Sequence, residues 1–160
     1  MTRDTLDLLL RNIEPPHGRA WHGGVTVVGA LRNVDAREAH RVPRGGRHSI
    51  WSLALHLAYW KYAVRRHLVR EPIPRFPRSP ANWPAVPRRA DEALWQADRA
   101  LVAEEHRRFV AAAAALDPAR LTRRPPRKKT WTYGELIAGI LAHDAYHVGQ
   151  IQLLKRLGRG

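Results

Sequence analysis

Hydrophobic positions recur at steps of three and four along most of the chain, the mark of one buried face on a helix. The clearest stretch runs from residue 132 to about 157, where Leu136, Ile140, His143, His147, Ile151 and Leu154 share a face. Thr132 and Glu135 have the spacing of a capping box, which marks a helix start. A second stretch runs from residue 49 or 50 to about 69. Its stripe is Ile50, Leu53, Ala54, Leu57, Trp60 or Lys61, and Val64, with Ser49 as N-cap and His56 flanking it. A third spans about 91–116 through Leu94, Leu101, Phe109, Ala112 and Leu116, and Glu105 falls on the same face. Residues 4–13 form a short helix that Pro15, Pro16 and Gly18 stop. Val25, Val28 and Leu31 suggest a further helical piece to about Val34, belonging to the first element. Val25 to Val28 also has strand propensity, but no partner strand appears elsewhere. A short helical turn fits within residues 35–47, before a Pro43, Gly45 and Gly46 loop.

Between the second and third stretches, residues 71–88 hold six prolines, which forbid regular helix or central strand. This is a long crossover loop, with Phe76 and Trp83 as pins against the body. The tally predicts an all-α chain, a four-helix bundle with long crossover loops, in a single domain over residues 1–160. A length of 160 residues with 44% apolar content suits one core. No apolar run is long enough for a membrane span. The start, Met1 to Thr5, lacks the apolar stretch of a signal peptide. Cysteine is absent, which excludes disulfides, thiolate metal sites and a cysteine nucleophile. Both features fit a cytoplasmic protein.

Charge adds one question. The chain has 28 basic and 14 acidic residues, 28 − 14 = +14, and only four of the basic ones are lysine. Such a balance suits nucleic acid or anionic substrates, or reflects an arginine-rich composition. The one dense run, Arg123 to Lys129, contains prolines and no aromatics, so it reads as a solvated loop rather than a base-stacking platform.

The nine histidines carry the chemistry. His17, His40, His48, His67 and His106 sit in predicted loops or on arginine-rich faces and read as solvated. His22 follows Trp21 in a glycine-rich turn, facing a cleft or solvent. His56, His143 and His147 lie on or beside core stripes. Residues 143 and 147 are one helical turn apart, so their rings can close on one ion. Taken alone, that pair more often marks two satisfied, partly buried histidines than a metal site. A third imidazole makes a facial set for a divalent ion such as zinc or nickel, with positions left open to water or substrate. Asp144 points roughly 100° away around the helix and is no obvious ligand. Glu105 is a candidate carboxylate for a ring nitrogen, or else a partner for an arginine. Gly139 and Gly149 each cost about 1 kcal/mol inside a helix, and close approach of a helix or ligand is the expected compensation.

Three segments together resemble the DinB/YfiT-like superfamily of metal-dependent enzymes. They are Ala20-Trp21-His22-Gly23, then His48-Ser49-Ile50-Trp51 leading to His56-Leu57-Ala58-Tyr59-Trp60, and Thr132-Tyr133-Gly134-Glu135-Leu136 followed by Leu141-Ala142-His143-Asp144-Ala145-Tyr146-His147-Val148-Gly149-Gln150-Ile151. The resemblance covers nearly the whole chain and is most specific in the last segment. It implies an up-down-down-up four-helix bundle, a homodimer, and one divalent metal ion held by His56, His143 and His147. It also implies a small-molecule substrate and, in some relatives, a low-molecular-weight thiol such as bacillithiol or mycothiol as cosubstrate for transfer or isomerisation. The family name records induction by DNA damage, a stress response, not DNA binding. The expected function is therefore a metal-dependent S-transferase or hydrolase, with no catalytic base identified. A metal-stabilised bundle without catalysis, and a basic nucleic-acid-associated protein, are the competing readings.

Overall fold

The structure, a computed structural model, describes residues 3–18, 24–126 and 130–158. Among these the regular structure is all-helical: α1 (Arg3–Ile13), α2 (Val27–Ala30), α3 (Ala36–His40), α4 (Ile50–Leu68), α5 (Glu92–Ala114) and α6 (Tyr133–Leu157), with a 3-10 turn at Pro118–Arg120. Trp21, His22 and residues 127–129 of the basic run lie outside the described residues.

Local chemistry starts each long helix where the sequence predicts. Ser49 accepts from the Ser52 amide and Asp91 from the Leu94 amide. The Thr132–Glu135 box is reciprocal: the Glu135 amide donates to Thr132 Oγ1 at 3.2 Å, and the Thr132 amide to Glu135 Oε2 at 2.7 Å. Each such cap satisfies an amide that the helix cannot, a gain of about 1 kcal/mol. The piece expected over residues 25–34 is a single helical turn capped by Thr26, and Asn33 takes a positive φ of 58° just after it.

The helix α4 packs against both α5 and α6, and α1 packs against the same two. The core falls into two apolar clusters. One gathers Trp51, Leu53, Leu57, Trp95, Val102 and Ile151, and the other Leu6, Val64, Leu68, Phe109, Ile137 and Ile140. Between them runs a belt of buried charge. Lys61 is 0% exposed, and its ammonium donates to Asp144 Oδ1 at 2.5 Å. Arg65 forms a forked pair with Glu105, closest at 2.8 Å.

Three sequence expectations change here. The buried face of α5 carries Trp95, Asp98, Val102, Glu105, His106 and Phe109, whereas Leu94 is exposed. The face is turned relative to the leucine stripe because Trp95, the largest apolar group on the helix, packs on Trp51, and its Nε1 donates to the Val34 carbonyl. Asp98 shares the face because Trp51 Nε1 donates to it at 2.8 Å and Arg78 pairs with it. His106 is buried rather than solvated. Finally, no neighbouring helix of the chain explains Gly139 and Gly149, since a Cβ at either would meet nothing within 4 Å.

Candidate metal centre

His56 projects from α4, and His143 and His147 project from α6. The two helices run antiparallel, with His56 against His143 and His147, and Lys61 further along α4 against Asp144. The packing brings all three predicted rings together. Their centroids are 4.5, 4.8 and 5.0 Å apart, and one nitrogen from each lies within 4.8 Å of the others. His56 and His147 are buried, and His143 is half-buried.

The hydrogen bonds of the rings decide which nitrogens face inward. His56 Nδ1 donates to the Asn82 carbonyl at 2.6 Å, and His147 Nδ1 donates to Gln150 Oε1 at 2.7 Å. A carbonyl oxygen only accepts, so each Nδ1 carries the proton and each Nε2 keeps its lone pair. His143 Nε2 lies 3.1 Å from His56 Nε2. Two nitrogens on one tetrahedral ion at ~2.0–2.1 Å stand about 3.3 Å apart, so this spacing suits a shared cation. His143 Nδ1 is buried without a partner.

Electrostatics keep the rings neutral, as metal ligands must be. Burial lowers the His143 pKa to about 3, helped by the neighbouring His147, His56 and Lys61. Burial also lowers His56 and His147, against the opposing pull of Asn82 and Gln150.

The proline-rich crossover loop holds the site from above. Trp83 stacks on His56 with centroids 3.8 Å apart and planes 9° apart, and on His48 at 4.0 Å and 11°. Two rings cannot occupy the same patch of an indole, so His48 and His56 flank it. Asn82 contributes twice: its carbonyl takes the His56 proton, and its side-chain oxygen accepts from Trp60 Nε1 at 2.8 Å. Both contacts depend on a positive φ of 69° at Asn82, a conformation that asparagine tolerates better than most residues. Trp60 in turn packs edge-on against His56 and His143.

The two carboxylates weighed from sequence, Asp144 as no obvious ligand and Glu105 as a candidate, both pair with cations. Asp144 is buried and pairs with Lys61, and burial pushes its carboxyl up while the ammonium counters this. Glu105 pairs with Arg65 and Arg108, so its role is the arginine partnership. The groups that hold the ring nitrogens, Asn82 and Gln150, were not singled out for that role from sequence. Gln150, three residues after His147 on the same helix, was the available signal. Among the remaining histidines, His40 Nε2 donates to the Pro87 carbonyl at 2.9 Å, and His17 is exposed.

Such a cluster can hold one divalent ion on three neutral nitrogens and leave further positions open. No helix among the described residues is long and apolar enough to cross a membrane. No curated protein and no solved structure matches the chain. The family profile described as the DinB superfamily matches residues 25–151, which spans α2 to most of α6 and includes all three histidines. With that match over most of its length, the chain belongs to the DinB superfamily.

Proposed function

We propose that the protein is a divalent-metal-dependent enzyme in which His56, His143 and His147 hold one ion, zinc or nickel, and a small-molecule substrate reacts at its open positions. The observation that carries this reading is the convergence of one nitrogen from each ring within 4.8 Å, with His56 Nδ1 and His147 Nδ1 committed to carbonyl oxygens so that both Nε2 atoms are acceptors. His143 Nε2 and His56 Nε2 share a proton as an N–H···N contact in the free site, and a cation that replaces that proton finds the two nitrogens already 3.1 Å apart. A divalent ion there supplies Lewis acidity, lowering the pKa of a thiol or water that takes an open position.

The chain's own contributions are positional. Asn82 and Gln150 fix the tautomers and aim the rings, and Trp83 and Trp60 wall the site and limit water. The cluster includes no carboxylate to serve as base. That favours a thiol over water as the nucleophile, because a free thiol ionises near pH ~8.5 and needs far less help than water. A thiol-dependent S-transferase therefore fits better than a hydrolase.

The proposal extends to the family's arrangement: a single four-helix-bundle domain built from α1, α4, α5 and α6, working as a cytoplasmic homodimer. The exposed Tyr146, Leu153 and Leu157 on α6 are apolar surface that a second copy would cover.

The test is metal content of untagged protein beside His56→Ala and His147→Ala. About one zinc or nickel per chain in the wild type, lost in both variants, is the expected result. Full metal retention by His147→Ala would sink the ligand assignment. No uptake of zinc, nickel or manganese would make the histidines structural.

A further inference from the structure

Next to the histidines, between α4 and α6, lies a cavity of about 270 Å³ lined by Trp60, Val64, Trp131, Leu136, Ile140 and His143. Gly139 and Glu135 complete the lining. The wall is apolar in practice. The Glu135 carboxylate is held by the Thr132 amide, and His143 Nε2 faces His56. Trp60 and Trp131 are 37% and 53% exposed, an unusual amount of free indole on one small area.

Two features tie this space to the candidate site. His143 belongs to both, and Trp60 touches both, packing against His143 with centroids 6.0 Å apart. The third feature is Gly139. It sits within α6 among the lining residues, and a Cβ there would meet nothing within 4 Å. No neighbour requires glycine at this point, and the helix would gain about 1 kcal/mol from alanine. What glycine does is leave the cavity its full width, because any longer side chain at 139 would project into it.

We propose that this cavity binds the apolar group, a short alkyl chain or a single aromatic ring, of the substrate whose reacting atom lies at the three histidines. The proposal rests on the metal-site reading and adds the substrate class to it. The size fixes the class: the cavity is just under the ~300 Å³ at which pockets for drug-sized ligands begin. It is too small for a whole cofactor and large enough for a group of about six carbons. With no cation in its wall and its one carboxylate, Glu135, turned to the Thr132 amide, it selects by burial of hydrocarbon.

The experiment measures binding of n-alkanethiols, from ethanethiol to hexanethiol, to cobalt-loaded protein through the cobalt–sulfur charge-transfer band. The matching n-alkanols are titrated against metal-free protein by tryptophan fluorescence. Wild-type affinity should rise about fourfold per methylene in both series, the equivalent of about 0.8 kcal/mol. Gly139→Leu should flatten that rise while keeping cobalt content and melting temperature. Trp131→Ala should reduce it in part. In His147→Ala the alkanol series should keep its slope although cobalt is lost. Equal slopes in wild type and Gly139→Leu would overturn the cavity, whatever the metal result. An absent slope, together with a change in sedimentation on Gly139→Leu, would assign the groove to a second copy of the chain and also overturn it. Failure to load cobalt with the alkanol slope intact would sink the metal reading alone.

Discussion

The Lys61–Asp144 pair and the His56–His143–His147 cluster are neighbours between the same two helices, yet they are polar in opposite ways. In the first, a buried cation meets a buried anion at 2.5 Å, so each charge is answered within the chain. In the second, three neutral rings converge to bring one nitrogen each within 4.8 Å, and His143 Nδ1 is buried without a partner. The pair is complete as it stands. The cluster leaves a buried ring nitrogen of His143 unanswered. Burial alone therefore does not mark a functional group; what distinguishes one is polarity that its own surroundings leave unanswered.

Breaking the pair should give the largest effect on stability. Asp144→Ala strands the Lys61 ammonium in the core and should cost about 3–5 kcal/mol in urea unfolding of metal-free protein. His143→Ala in the same assay should cost about 1 kcal/mol or less, since it removes an unsatisfied group. Replacing both charges, Lys61→Met with Asp144→Leu, should recover most of the loss. Equal costs for Asp144→Ala and His143→Ala would erase the distinction.

The second test sharpens the other half of the contrast. Gln150→Ala removes the acceptor that orients His147 and should weaken metal binding about 10–100-fold while leaving one site per chain. Competition with a chelator reads this directly. An unchanged affinity would mean that Gln150 does not orient the ring.

Acid probes a buried histidine that belongs to neither group. His106 is held down to about 4, first by burial and then by the Lys61 charge. Its folded pKa lies below the unfolded value of 6.5, so the unfolded chain binds the extra proton. The contribution is complete above about pH 6.5 and is lost as pH falls towards about 4. The urea midpoint of wild type should drop over that window more steeply than that of His106→Leu.

The smallest effect lies on the open side of α6. A Cβ at Gly149 meets nothing within 4 Å, so Gly149→Ala should stabilise the chain by about 1 kcal/mol. A loss of stability there would mean that a second copy approaches the helix closely in solution.

Much of this was legible in the chain alone. The caps at Ser49, Asp91 and Thr132 are local hydrogen-bonding chemistry, so the long helices begin where the residues say. Prolines over residues 71–88 interrupt helix by sterics, which needs no tertiary context. His143 and His147 share a turn of one helix, and His56 lies beside a stripe, so the candidate ligands could be named from periodicity and from the resemblance of their segments. Which polar residues share a buried face was harder to read. Lys61 falls on a stripe that spacing marks, but Asp98, Asp144 and His106 are buried as well, and the sequence reading placed none of those three on a core face. For Asp98, Lys61 and Asp144 the burial goes with a partner 20 to 83 residues away in sequence, Arg78 for Asp98 and Asp144 for Lys61. Asn82 and Trp83 reach His56 only because the crossover loop folds back over α4. Local sterics and capping act within a turn or two and can be read in order along the chain. The burial of a charge, the tautomer of a ring and the width of a cavity are set by what packs opposite, and only the folded chain decides that.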